Sequence, residues 1–213
     1  MARSRLPHGT FDLDRILSET DIRHVEYHDA LPSTNTTALE LLDPLLDNTP
    51  SLVLTSEQTA GRGRKGNLWW SSGGALTFSW VVDASHLPVA VERRPMVALA
   101  AGLAVRDALV SLIAGCPFVL KWPNDVLLGD RKVCGILVEQ HSIAQRQAVI
   151  IGVGVNVNNS LRDAPTEIAQ RAISLFDLEG QSFDLSTVLI AILQCLSHRI
   201  NQLVTQPRLA LAE

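Results

Sequence analysis

Three glycines and three cations share one hexapeptide, Gly61-Arg62-Gly63-Arg64-Lys65-Gly66. Glycine lets a backbone turn sharply and approach a ligand closely, and cations at short spacing suit a ligand with several negative oxygens. The stretch therefore predicts an anion-binding loop. Its letters also fit the dinucleotide pattern G-x-G-x-x-G, but that pattern needs a helix at its glycines, and residues 67–74 have no helical period. The hexapeptide alone fits a solvated basic turn or a disordered nucleic-acid tail equally well.

Three further stretches place polar residues at strand ends or in turns. Asn124 and Asp125 follow a proline, Lys132 begins a strand that contains Gly135, and residues 151–158 alternate Val or Ile with Gly or Asn. Proline fixes a turn, and a glycine inside a strand often marks the close approach of a ligand. Taken one at a time, each stretch also has a structural interpretation. Asn124 and Asp125 are common turn residues, Lys132 fits an ordinary charged hairpin position, and the glycines of residues 151–158 could allow close packing.

These residues need a sheet to position them, and alternating hydrophobicity predicts its strands. The expected strands are 22–28, 51–56, 75–83, 117–122, 125–128, 132–140 and 148–157. Helical patterns cover about three turns after residue 33, with Ser33 or Thr34 as N-cap, and residues 95–114 and 185–204. Residues 158–171 lack any period and predict a mobile loop. The loop of cations thus lies between two strands.

Composition narrows the class of protein. The chain has 213 residues, 46% of them hydrophobic, and a net charge of -4. That charge argues against general nucleic-acid binding, which needs a basic face. The widely spaced Cys116, Cys134 and Cys195 are typical of reduced core thiols, and no uncharged stretch reaches the ~20 residues of a membrane span. We therefore expect a cytoplasmic protein that binds neither DNA nor membrane.

Together the polar stretches resemble the catalytic domain of biotin protein ligases, over about residues 22–205. The motifs occur in the family's order, as Ser33-Thr34-Asn35, Gln58 with residues 61–66, Trp69 and Ser71, Lys121-Trp122-Pro123-Asn124-Asp125, Lys132 with residues 135–139, and Gly152-x-Gly154-x-Asn156. The resemblance implies an α/β (α+β) fold: a mixed β-sheet flanked by helices, as in class II aminoacyl-tRNA synthetases. Residues 1–20 would be an N-terminal extension and residues 21–213 the catalytic domain. The repressor subclass's DNA-binding domain and an SH3-like C-terminal domain are not expected.

The resemblance also implies a two-step reaction with biotin, ATP and Mg²⁺: formation of biotinyl-5′-adenylate, then transfer of biotin to a lysine of a biotin carboxyl carrier protein. Lys132, Arg64 and Arg62 would be catalytic. The implied biotin-binding residues are Ser33, Thr34, Asn35, Gln58, Gly61, Arg62, Gly63, Arg64, Trp69, Lys132, Gly135 and Gly152. The implied adenylate-binding residues are Arg62, Arg64, Lys65, Trp69, Asn124, Asp125, Lys132 and Asn156, with Asp125 also a candidate magnesium ligand.

Two departures from the family keep alternatives open. Lys65 and Asn67 stand where many relatives carry arginine, and the chain stops where relatives usually continue. The missing C-terminal segment gives one alternative, a non-catalytic biotin-binding protein of ligase descent. The other alternative is a relative of the lipoate ligases, which residues 121–125 and 61–64 disfavour. Either a monomer or a homodimer fits the sequence. Residues 171–175 resemble the family segment after the adenylate-binding loop, so the polar stretch before them is expected to order over the adenine.

Overall fold

The strands of the sheet follow the predicted order with shifted ends. The computed structural model describes residues 11–87, 95–162 and 164–206. The strands are β1 His24–Leu31, β2 Ser51–Gln58, β3 Leu76–Asp83, β4 Phe118–Lys121, β5 Asp125–Leu128, β6 Arg131–Ile143 and β7 Arg146–Val155. They form a sheet in the order β1-β2-β3-β7-β6-β5-β4. β1 and β2 run parallel and the other neighbours antiparallel, so the predicted mixed sheet is confirmed.

The two faces of the sheet differ in composition because successive side chains of a strand point to opposite sides. One face, here called the core face, carries large apolar side chains such as Leu54, Phe78, Trp80, Ile151 and Val153, all buried in one cluster. The opposite face, here called the site face, carries small or polar residues near the middle of the sheet. This alternation confirms the prediction that one side of residues 151–158 is apolar and the other nearly bare.

Helices cover both faces. The helices are α1 Leu13–Glu19, α2 Thr34–Glu40, α3 Leu42–Asp47, α4 Pro95–Leu112, α5 Thr166–Arg171, α6 Leu175–Glu179 and α7 Leu185–Thr205. Residues of α4 and α7 belong to the cluster on the core face, whereas α2 and α3 pack with Val53, Val81 and Ile150 on the other side. The small, alanine-rich surface of α4 lets α7 approach it closely.

The long helix α7 is apolar enough, by length and composition, to cross a membrane. Its apolar stripe has another explanation, because the side chains that form the stripe are buried in the core. The buried residues of α7 are Leu185, Ser186, Val188, Leu189, Ile190, Ile192, Leu193, Leu196, Ile200 and Leu203. Arg199 of α7 also pairs with Asp107 of α4 at 2.6 Å, which ties the two helices together.

The structure differs from the sequence-based expectation in three segments. Residues 11–20, assigned to an extension, place Phe11 and Ile16 in the main core. The predicted loop 158–171 contains α5, which is too short for a hydrophobic period to show. The helix expected after residue 33 is divided into α2 and α3, because Pro44 has no N–H for the carbonyl of residue 40 and is tolerated only in the first turn of a new helix.

Candidate active site

The floor of the site is a row of small residues across the site face. Thr77 of β3 lies opposite Gly154 of β7, Gly154 opposite Gly135 of β6, and Gly135 opposite Asp125 of β5. Side chains of directly opposed residues share a face, so the two glycines leave a bare strip between a hydroxyl and a carboxylate. The neighbouring row on the same face is Ser79, Gly152 and Leu137.

Most of the predicted site residues meet above this floor. A cavity of about 50 Å³ is lined by the predicted residues Ser33, Thr34, Asn35, Gln58, Arg62, Gly63, Arg64, Trp69, Asn124, Lys132, Gly135 and Gly152, together with Ile136, Leu137, Val153 and Gly154. The cavity is small because side chains of the protein fill most of the space above the glycines. Gly61, Lys65, Asp125 and Asn156 are predicted residues that do not line it.

Trp69 lies on the bare strip. A Cβ atom on Gly154 would come within 2.5 Å of Trp69 Cε2, and one on Gly135 within 3.1 Å of its Cζ3. Lys132 Nζ lies 5.6 Å from the centre of the indole. Trp69 Nε1 and Thr77 Oγ1 are buried without a hydrogen-bond partner in the part of the chain that the structure describes. Because such groups are costly to leave unpaired, they provide hydrogen-bonding capacity for a ligand.

The amide of Asn35, one of the predicted biotin-binding residues, is hydrogen-bonded within the protein in the ligand-free site. Its Nδ2 donates to Leu137 O at 3.3 Å and to Glu139 Oε2 at 2.8 Å, and its Oδ1 accepts from Ser79 Oγ at 2.6 Å. Both of its N–H donors are therefore used. Asn35 also fills the space above Gly152, where a Cβ atom would overlap its Oδ1. Protein side chains occupy the spaces above both Gly152 and Gly135 in the ligand-free site, so a ligand can enter only if those side chains move. The predicted contacts of these glycines with biotin stay predictions.

Gln58 and Thr34 form a second polar contact at the start of α2. Gln58 Oε1 accepts from the Thr34 amide at 2.8 Å and from Thr34 Oγ1 at 3.3 Å. Its side-chain nitrogen has no protein partner among the described residues and can donate to a ligand. Ser33 occupies the predicted N-cap position, but its side chain makes no capping hydrogen bond, so its hydroxyl is also available.

The three cations predicted to be catalytic have different partners. Arg62 Nη2 pairs with Glu139 Oε1 at 2.7 Å, and Lys132 Nζ pairs with Asp125 Oδ1 at 2.7 Å. Arg64 Nη1 instead donates to the neutral Asn124 Oδ1 at 3.0 Å. Two of the charges are therefore balanced by carboxylates of the protein, whereas Arg64 keeps its charge uncompensated by any acid among the described residues.

Residues 61–66, here called the cationic loop, form a small closed turn. Gly61 is buried, and a Cβ atom there would lie 2.6 Å from Trp69 O, so glycine is required where the loop turns back. The Gly63 amide donates to Asn67 O at 2.7 Å, and the backbones of Arg62 and Leu68 form an isolated antiparallel β-bridge. Lys65 lies at the exposed tip with a φ of 56°, and it has no ion pair within the described ranges. Its predicted contact with the adenylate stays a prediction.

Asn156 supports the site from outside the cavity. It is 3% exposed, and its Nδ2 donates to Lys132 O at 3.4 Å while its Oδ1 accepts from Asn159 Nδ2 at 3.1 Å. Its amide thus steadies the backbone that carries Lys132. The predicted contact of Asn156 with the adenylate stays a prediction.

Asp125 is a poor metal ligand by itself. Among the described residues, no group of three or more His, Cys, Asp or Glu side chains could hold a metal ion. Mg²⁺ is often bound by one or two carboxylates together with substrate phosphates. The residues here therefore fit a magnesium ion only when phosphates supply most of its ligands.

Two ionisable groups, Cys134 near Lys132 and Asp177 near residues 160–161, have shifted pKa values. Burial raises the pKa of the Cys134 thiol, so this cysteine next to Lys132 stays protonated and is a core residue, as predicted. Burial alone would also raise the pKa of Asp177, but hydrogen bonds, including one from the Leu161 amide at 2.8 Å, outweigh burial and lower it. Asp177 is therefore a stable anion that anchors residues 160–161.

Sequence reasoning missed some residues of the site. Thr77 and Ser79 alternate with the core residues Phe78 and Trp80, so the same period could have placed them on the site face. Gly154 belonged to a quoted motif but was given no role. Glu139 ended another quoted motif, and no local signal identifies its partners, which lie far away along the chain.

A family model and individual relatives point to the same protein family. Residues 27–156, more than half of the chain, match the model of the biotin/lipoate A/B protein ligase family. The chain is 36% identical over 202 residues to the bifunctional ligase/repressor BirA of Bacillus subtilis, covering 89% of this chain and 60% of that protein. It is 39% identical over 153 residues to the biotin–[acetyl-CoA-carboxylase] ligase of Mycobacterium tuberculosis, covering 71% of this chain and 54% of that protein.

A solved structure adds support for the fold. The biotin protein ligase from Aquifex aeolicus in complex with biotin and ATP superposes with a TM-score of 0.73 at 30% identity, over 87% of this chain and 73% of that one. This confirms the predicted ligase fold. The chain spans 60% of the length of the Bacillus protein, so what the whole relatives do is not transferred by similarity alone. By the extent of the family match and the shared fold, the chain belongs to the biotin/lipoate A/B protein ligase family.

Proposed function

We propose that this chain is a biotin protein ligase, which activates biotin with ATP and transfers it to a lysine of a carrier protein. The observation that carries the proposal is the convergence of Arg64, Lys132 and Gln58 on one cavity above the glycine strip. The cations suit the negative oxygens of a carboxylate and a triphosphate, and the Nε2 donor of Gln58 suits a neutral polar head group. The Aquifex structure that resembles this chain is described as a complex with biotin and ATP.

In the first step, a biotin carboxylate oxygen forms a bond to the α-phosphorus of ATP, and the bond to the bridging oxygen breaks to release pyrophosphate. Both reactants are negatively charged, so their approach is opposed by repulsion. Arg64 and Lys132 offset this repulsion, and fixed cations in a site closed to water do so more effectively than solvent. Lys132 exchanges Asp125 for a substrate oxygen, and Arg64 needs to leave only the neutral Asn124.

In the second step, a neutral lysine amine of the carrier protein attacks the carbonyl carbon of the adenylate. An amide bond forms, AMP leaves with the electron pair of the broken anhydride bond, and the amine loses a proton to solvent. Trp69, the loop amides and the Arg64 side chain would keep the adenylate from water until the carrier arrives. The Trp69 indole would move off the glycine strip to make room, since it fills that space in the ligand-free site.

The proposal includes a metal ion, a protein partner and a cytoplasmic location. Mg²⁺ would arrive bound to the triphosphate, with Asp125 as the carboxylate that could hold it, and it would screen the phosphate charge. The partner would be a biotin carboxyl carrier protein, a subunit of acetyl-CoA carboxylase. We propose no DNA or membrane partner.

The test is an adenylation assay on the purified chain with biotin, ATP and Mg²⁺, followed by addition of a carrier domain. We expect biotinyl-adenylate by mass spectrometry and biotinylated carrier by streptavidin blot. Equimolar lipoate should not reduce the yield, since lipoate ligation is the related alternative. Normal biotin binding without any adenylate would contradict the proposal and favour a binding protein.

A further inference from the structure

Glu139 contacts two residues that line the cavity, Asn35 and Arg62, although it does not line the cavity itself and carries no predicted role. Its Oε1 accepts from Arg62 Nη2 at 2.7 Å, and its Oε2 accepts from Asn35 Nδ2 at 2.8 Å and from Arg62 Nη1 at 3.4 Å. Both carboxylate oxygens are therefore used. Glu139 lies in β6, so a rigid strand is joined through one side chain to the start of α2 and to the cationic loop.

The network continues beyond Glu139 on both sides. Asn35 Oδ1 accepts from Ser79 Oγ at 2.6 Å in β3, and Arg62 Nη1 also reaches Thr36 Oγ1 at 3.3 Å. The Glu139 side chain is 21% exposed and that of Arg62 is 43% exposed. A charged pair in this partly shielded setting, with hydrogen bonds to both oxygens, is stronger than an isolated surface pair.

The two arginines of the loop therefore differ. Arg62 already has a carboxylate that is fixed by Asn35, so a ligand anion would have to compete with a preorganised partner. Arg64 has only the neutral oxygen of Asn124. An arriving anion gains more from the unpaired guanidinium, since no existing ion pair must be broken.

We infer that Glu139 is a positioning residue that anchors the cationic loop to β6 through Arg62, and that it leaves Arg64 as the loop cation that meets the anionic oxygens of the ligand. Arg62 then acts by holding the loop closed and need not contact phosphate. The anchoring role applies to the ligand-free loop. Only the identity of the ligand that the loop encloses rests on the proposed function.

The first test measures loop anchoring without any ligand. Trypsin can cut after Arg64 and Lys65, and cutting requires the loop to open. In limited digestion of the full chain, Glu139→Gln and Arg62→Gln should each speed cleavage at these bonds about three- to tenfold, the range expected from losing a partly shielded ion pair. Glu19→Gln is the matched control, because it removes the carboxylate of a 2.7 Å pair with Arg15 on α1, far along the chain from the loop.

A double variant separates anchoring from independent roles. If the two side chains act as one unit, Glu139→Gln combined with Arg62→Gln should be cut no faster than the more sensitive single variant. Unchanged cleavage in both single variants, or rates that multiply in the double variant, would overturn the inference. The midpoint of thermal unfolding shows whether the change at Glu139 impairs folding. If it does, the Arg62 variant remains informative, because Arg62 lies in an exposed loop.

A second readout uses the adenylate. The half-life of bound biotinyl-adenylate should fall about three- to tenfold in Glu139→Gln and in Arg62→Gln, again without multiplying in the double variant. Multiplying losses would mean that Arg62 contacts the ligand directly, against the inference. If the wild-type chain forms no adenylate, the proposed function fails, whereas the digestion result still decides the anchoring role.

Discussion

The two faces of one sheet do different work although they share the same strands. On the core face, Ile151 and Val153 of β7 are buried against helices α4 and α7. On the site face, their neighbours Gly152 and Gly154 have no side chains, and Asn35 and Trp69 fill the space instead. Stability and function are thus assigned to alternate residues of a single strand. Substitutions at adjacent positions should therefore have effects of different kinds.

The largest effect is expected from Lys132→Ala, on the site face. Removing a cation aimed at developing negative charge should lower the rate of adenylate formation about 100- to 1000-fold. The free energy of unfolding should fall by less than about 1 kcal/mol, because the Lys132–Asp125 pair is partly exposed. Stopped-time adenylation assays and urea unfolding measure the two quantities. Lys121→Ala is the control, since this exposed lysine of β4 lies outside the cavity, and equal losses in both variants would refute the role of Lys132.

Ile151→Ala should sharpen the contrast from the core face. Ile151 is fully buried, so loss of its side chain should reduce the free energy of unfolding by about 2–5 kcal/mol. Its side chain points away from the site, and the folded fraction should keep its adenylation rate. Urea unfolding and assays normalised to folded protein test this. A rate loss at full folding would show that the two faces are not separable.

A smaller effect on stability is expected from Gly152→Ala, one residue further along. The added methyl would overlap Asn35 Oδ1, so the asparagine must move and give up bonds to Ser79 and Glu139. Overpacking of this kind costs about 1–3 kcal/mol. Biotin binding, measured by calorimetry, should weaken more than at Ile151→Ala. Equal biotin affinity in wild type and Gly152→Ala would argue against Asn35 as the residue that shapes this part of the site.

Sequence patterns predicted the faces but not what fills them. Alternation is a local property of a strand, so residues 151–158 alone identify one apolar and one bare side. The side chain that occupies the bare side comes from another element: Asn35 meets Leu137 across 102 positions and Arg62 meets Glu139 across 77. The motifs placed most binding residues in one cavity, yet they could not tell a ligand contact from a contact within the protein. Asn35 and Asn156 are examples, since the fold gives each amide a partner within the protein that no motif indicates.

The ion pairs of the site could not be predicted from the sequence either, because the two partners of each pair come from different elements. The sequence presents Arg62, Arg64 and Lys132 as equivalent cations. Only the folded geometry divides them, because Glu139 and Asp125 reach two of the three. The difference in their expected roles follows from these partners and not from residue type.

Hydrogen–deuterium exchange with and without biotin and ATP shows on which face of the sheet the ligands bind. We expect slower exchange in residues 58–69, 121–136 and 152–156, with no change in α4 and α7. Protection concentrated in those two helices, or none in the cationic loop at saturating ligand, would contradict binding on the site face.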